Sequence, residues 1–204
     1  MVATYGSTSS TSPLVVLLHG RGSHERDIVT LAPHLPHGPA YAALRGPIPE
    51  GNGFAWFENR GVGRPVAESL EDTMVWFRDW LGVVAPRRRR VYLIGFSGGA
   101  AFAGGLLLDR PSTIAGVAMI GGSLPFDATL PEAPGRLSGT RVFLSHGDQD
   151  GVIPGELRSR TWSYLVEESG AEVTTWRDPG GHEITPETQK RVSSWLSQVL
   201  IKRR

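Results

Sequence analysis

Short apolar runs recur along this chain at residues 14–18, 40–44, 91–94, 114–120, 141–145 and 172–176, and the clearest of them, Leu14-Val15-Val16-Leu17-Leu18 and Val91-Tyr92-Leu93-Ile94, are apolar at every position. A strand apolar on both faces is covered on both faces, which is the situation of a parallel sheet sandwiched by helices. Stretches with helical spacing fill the gaps, at 25–35, 66–84, 100–110, 155–169 and 186–201. This alternation predicts an α/β fold, with a mostly parallel sheet of about six to seven strands and helices on both faces. Chemistry in such sheets gathers at the carboxyl ends of the strands. The last helix has a legible start, with Thr185 as N-cap and Pro186 at the first helical position, and Val192, Trp195, Leu196 and Val199 share one of its faces.

Composition removes several classes of function. Twenty-one basic side chains against 20 acidic ones leave a net charge of +1, so no global field favours nucleic acid or an anionic membrane. No run approaches the ~18 apolar residues of a membrane span. Cysteine is absent, which excludes disulfides, thiolate metal sites and a cysteine nucleophile. His34 and His37 are separated by Leu35-Pro36 in a Pro-rich stretch that fixes no coordination geometry, so neither a metal nor a cofactor is expected. Residues 1–12, rich in Ser and Thr and without an export signal, read as a flexible leader to a single domain spanning 13–204 in a cytoplasmic protein. Arg87-Arg88-Arg89-Arg90 reads as a solvated connection between a helix and a strand.

Directly after the run at 91–94 comes Gly95-Phe96-Ser97-Gly98-Gly99, and a helix-forming stretch follows. A serine on so tight a strand-to-helix turn raises its hydroxyl above the sheet, and the glycines admit the close approach of neighbouring backbone. A serine hydroxyl needs a base within hydrogen-bond reach and an acid to orient that base. Downstream, Asp148 and Asp150 follow one strand and His182 follows the next. Asp150, two residues further past the turn, has room to fold back under His182, whereas Asp148 suits local capping and His146 a brace for the turn. The chain order Ser, Asp, His is that of an α/β-hydrolase. Ser97 is therefore expected as nucleophile, His182 as general base and acid, and Asp150 as its partner. The backbone N–H groups of Arg21, after the first apolar run, and of Gly98, after the nucleophile, are the expected oxyanion donors.

These residues resemble the phospholipase/carboxylesterase family of α/β-hydrolases, which includes bacterial carboxylesterases and acyl-protein thioesterases. The resemblance is carried by Leu17-Leu18-His19-Gly20-Arg21-Gly22, Trp56-Phe57-Glu58, Gly95-Phe96-Ser97, His146-Gly147, Asp150, Val152-Ile153-Pro154 and Gly181-His182, across about residues 14 to 200. It implies the set Ser97, Asp150 and His182 in a site for esters without a separate lid domain. The family usually has Gln where this chain has Gly98, and Ala100 stands where its second Gly would follow. Little before Leu14 is expected to supply the opening strands of such a sheet. Phe54, Trp56, Phe57 and Leu124, with Pro125 and Phe126, are expected to line an acyl pocket. The expected activity is hydrolysis of short- to medium-chain carboxylic esters through an acyl-enzyme, by a monomer or weak homodimer. A thioesterase or lysophospholipase with the same residues, and a hydrolase-fold protein that binds without turnover, are the alternatives.

Overall fold

The computed structural model describes residues 1–85 and 90–201. Arg87, Arg88 and Arg89 of the arginine run lie outside the described residues. The chain runs β1 (Val2–Gly6), β2 (Leu14–Leu18), α1 (Glu25–Ile28), β3 (Ala40–Leu44), β4 (Ile48–Glu50), β5 (Gly53–Ala55), α2 (Ala67–Val84), β6 (Val91–Phe96), α3 (Gly98–Asp109), β7 (Gly116–Ile120), β8 (Arg141–Gly147), α4 (Gly155–Ser163), β9 (Glu172–Asp178) and α5 (Pro186–Ile201). Seven strands form one sheet in the order β1-β3-β2-β6-β7-β8-β9, parallel throughout except for β1, which pairs antiparallel with β3.

Alternate side chains of the central strands point into two separate cores, as the pleat requires. On one face Val16, Leu18, Leu93, Val117, Met119 and Leu144 meet Leu70, Met74 and Phe77 of α2 and Phe102, Ala103 and Leu107 of α3. On the other, Val15, Leu17, Ile94, Ile120 and Phe143 meet Ile28 of α1 and Val192, Trp195, Leu196 and Val199 of α5. Thr185 caps α5 by accepting the Thr188 amide at 3.1 Å. Among the described residues no helix is long and apolar enough to cross a membrane.

Two features depart from expectation. Residues 2–6 are not leader but an edge strand, with Val2 opposite Leu44 and Gly6 opposite Ala40. Four of the strand's five residues are exposed, so it carries no apolar run, and an edge strand needs only one sparse inner face. The second is the β4–β5 hairpin, which lies outside the apolar runs read from the sequence and pairs Ile48 with Ala55 and Glu50 with Gly53. Its two-residue turn, Gly51-Asn52, puts Gly51 at φ +56°, the kind of backbone such hairpins demand.

Candidate active site

At the carboxyl end of β6 the backbone turns so sharply into α3 that Ser97 adopts φ 53°, ψ −118°. A non-glycine residue there is strained by about 1–3 kcal/mol, and the surroundings hold it in place. The Ser97 amide donates to Ile120 O at 2.9 Å, while its carbonyl accepts from the Ala100 and Ala101 amides at 2.9 and 3.1 Å. Backbone presses on both sides of the turn. A Cβ on Gly95 would stand 2.3 Å from Gly99 O, and one on Gly99 would stand 2.2 Å from Leu18 O.

The β8–α4 loop delivers Asp150. Its Oδ1 accepts the amides of Val152 and Ile153 at 2.8 and 3.0 Å, and its Oδ2 faces His182 Nδ1 at 2.8 Å. Desolvation works to raise the pKa of this buried carboxyl, but the hydrogen bonds from His182, Ile153 and Val152 outweigh it and hold the group below the ordinary aspartate value. An ionised Asp150 accepts only, so His182 Nδ1–H is the donor and Nε2 is left with a free lone pair. The Ser97 hydroxyl donates to that Nε2 at 2.9 Å. Asp148 plays no part in this array; its carboxylate pairs with Arg177 at the surface, at 2.7 Å.

His182 sits in a loop tied down by a residue that sequence reasoning missed. Asp178, at the end of β9, is buried and accepts the Gly180 amide at 2.8 Å, the Thr188 hydroxyl at 2.8 Å and the Thr185 hydroxyl. The signal was present in Asp178-Pro179-Gly180 ahead of a capping Thr185, an Asx-turn composition. The Phe96 ring lies 5.0 Å from the imidazole of His182 and keeps it over the elbow. His146 lies behind, with neither ring nitrogen bonded among the described residues. Desolvation first, and the charge of Arg158 second, push its pKa down to about 4, so it is neutral at ordinary pH.

Ser97, Gly98, His182 and Arg21 open on one cleft of about 280 Å³. The Arg21 amide has no acceptor among the described residues, and at the first position of α3 the Gly98 amide has no intrahelical acceptor. A Cβ on Gly98 would come within 3.3 Å of Arg21 N, so the two amides are neighbours beside Ser97. Of the aromatic residues expected in the pocket, Phe57 lines it and three others do not. Trp56 is 1% exposed, stacked on Phe102 at 4.9 Å and bonded through Nε1–H to His19 O at 2.8 Å, which makes it core. Phe54 lies under the Arg45 guanidinium, 4.5 Å from its ring centroid. Leu124 is fully buried and packs towards Gly104 of α3. Pro125 does line the cleft, whereas Phe126 packs under Arg160.

The remaining walls come from two loops. Residues 58–66 close on themselves through Arg60 N–H to Arg64 O at 2.9 Å, Arg64 N–H to Gly61 O at 3.0 Å and Val66 N–H to Glu58 O at 2.8 Å, and they present Asn59, Val62 and Pro65 to the cleft. Opposite stand Val152 and Ile153. Val62 and Val152 keep 46% and 49% of their surface exposed, so the mouth has an apolar rim. Besides Arg21, Ser97 and His182, Asn59 and Ser123 are the polar members of the lining, and the rest is apolar or glycine, the usual character of a small-molecule pocket.

Comparison with known proteins places these observations in a family. The model of the Phospholipase/Carboxylesterase family matches residues 3–200. A carboxylesterase structure from Mesorhizobium loti superimposes with a TM-score of 0.81 at 27% identity, over 93% of this chain and 89% of that one. The Bacillus cereus carboxylesterase structure gives a TM-score of 0.85 at 23% identity, over 97% and 93% of the two chains, a likeness of fold. Acyl-protein thioesterase 1 of Mycosarcoma maydis is 32% identical over 118 residues, which cover 54% of this chain and 48% of that protein.

Proposed function

This chain belongs to the phospholipase/carboxylesterase family, and from that premise we propose that it is a serine carboxylesterase acting on short- to medium-chain esters through an acyl-enzyme. The observation that carries the reading is the continuous path from the Ser97 hydroxyl to His182 and on to Asp150, at 2.9 and 2.8 Å, beside two uncommitted amides.

In this reading Ser97 Oγ adds to the ester carbonyl carbon as its proton passes to His182 Nε2. Asp150 stabilises the imidazolium through the Nδ1–H bond without taking the proton itself. The carbonyl oxygen, now an oxyanion, accepts from the Arg21 and Gly98 amides, donors worth about 10² to 10³ in rate each. The bond to the leaving alkoxide then breaks, and Nε2–H delivers its proton to that oxygen. Water attacks the acyl-Ser97, giving one proton to Nε2 as it adds. Collapse releases the carboxylic acid and returns the proton to Ser97.

The cleft supports a small substrate. A volume of about 280 Å³ stands at the small end of the roughly 300–1,000 Å³ of small-molecule pockets, which suits a modest acyl chain. Incubation with a fluorophosphonate and intact-mass analysis tests the nucleophile: the unaltered protein gains the adduct and Ser97→Ala does not. Matched oxygen esters and thioesters of several chain lengths test the substrate; a preference for long acyl thioesters would replace this assignment with a thioesterase.

A further inference from the structure

Arg21 lies between Gly20 and Gly22, the two residues least able to hold a peptide plane in a fixed direction. Its side chain supplies what the backbone lacks. Nε–H and Nη2–H donate to the two carboxylate oxygens of Glu50, each at 2.7 Å, and Nη1–H donates to Phe57 O at 3.0 Å. Glu50 ends β4, and the hairpin that carries it grips the same loop elsewhere. The Gly22 amide donates to Phe54 O at 2.9 Å and the Phe54 amide to Ser23 O at 2.8 Å. From below, the Gly46 amide donates to His19 Nε2 at 2.9 Å. Loop 19–23 is thus tied at several points to segment 46–57, and Arg21, the member of the loop that lines the cleft, takes the bidentate tie from Glu50.

We propose that Glu50 is a positioning residue for acyl transfer, which by fixing the Arg21 guanidinium aims the Arg21 amide at the oxygen that Gly98 also serves. The inference rests on the esterase reading above and adds to it a residue that makes no contact with the substrate. The pair is about one-third exposed on each side, and exposed ion pairs contribute little to global stability. Its loss therefore changes the rate and leaves the fold intact.

The test compares Glu50→Ala and Glu50→Gln with the unaltered protein, using para-nitrophenyl butyrate as substrate and a butyl trifluoromethyl ketone as a probe that forms a Ser97 hemiketal oxyanion. Glu50→Ala is expected to lower kcat about tenfold, a fraction of the 10² to 10³ lost with a whole donor. Ki for the ketone should rise by the same factor while KM and the melting temperature stay nearly constant. Glu50→Gln, which keeps one acceptor for Nε–H, should fall between the two. Arg21→Met cuts the same contact from the other end together with the bond to Phe57 O, and it should lower kcat and raise Ki at least as far, which tests the reading should Glu50→Ala fold poorly. Unchanged kcat and Ki in a natively melting variant, or a change confined to KM, overturns the proposal and leaves the esterase reading standing. An unaltered protein that hydrolyses no ester and takes up no fluorophosphonate overturns both.

Discussion

Asp150 illustrates how one side chain combines two tasks through its two oxygens. Oδ1 is saturated by the Val152 and Ile153 amides and Oδ2 by His182, so the carboxylate organises its own loop and fixes the imidazole tautomer together. Asp150→Asn separates these tasks. The amide oxygen can keep the loop bonds, while the NH₂ placed against Nδ1 forces the opposite tautomer and removes the lone pair that Ser97 needs. The expected result is a loss of about 10⁴ in kcat with a melting temperature close to that of the unaltered protein. Ester turnover within tenfold of normal would remove Asp150 from the mechanism.

Among the elements, the β9–α5 connection depends most on a single group. Asp178→Ala leaves the Gly180 amide and the Thr185 and Thr188 hydroxyls without their acceptor. The buried Thr188 hydroxyl so stranded costs about 1–3 kcal/mol, and the two part-buried donors cost less because they regain partners in water. A net loss of about 2–4 kcal/mol is expected, with faster amide exchange across 179–185 and a lower kcat as His182 loosens. Stability within 0.5 kcal/mol of normal would deny Asp178 this role. The elements that frame the site were legible because their signals are local: unbroken apolar runs for β2 and β6, Thr185-Pro186 for the start of α5, a small-residue turn for the elbow. The β4–β5 hairpin was not, since three-residue strands containing Pro49 and Gly53 carry no periodicity. Nor could an aromatic's identity show which way it faces. Trp56 and Phe57 are adjacent, yet only Phe57 reaches the cleft; Trp56 is claimed by His19 O and Phe102, partners distant in sequence.

For the molecule as a whole, buried ionisable groups set how it meets acid. His146, pushed to about 4, and His19, lowered chiefly by desolvation, are held neutral in the folded state, while the unfolded chain takes up their protons near pH 6.5. The unfolded state binds more protons below 6.5, so stability is flat above that pH and declines from there towards 4. A second decline begins below about 4. Glu25, held near 2 by its hydrogen bonds from Arg45, and Asp150 and Asp178, whose hydrogen bonds overcome desolvation, contribute stability that is complete above their unfolded pKa and lost as pH falls through the folded one. Thermal melts across pH 3 to 8 should show both limbs. His146→Leu removes no hydrogen bond and should flatten the upper limb alone; an unchanged slope between 6.5 and 4 would show that His146 does not carry it.

Because residues 58–66 close on their own turn hydrogen bonds and add no strand to the sheet, that segment is exchangeable as a unit, provided the close packing of Gly63 on Leu157 is kept. Transplanting loops of other length and composition between Glu58 and Val66 offers a protein engineer a way to reshape the cleft while Ser97, Asp150 and His182, anchored beyond strand ends, are left alone.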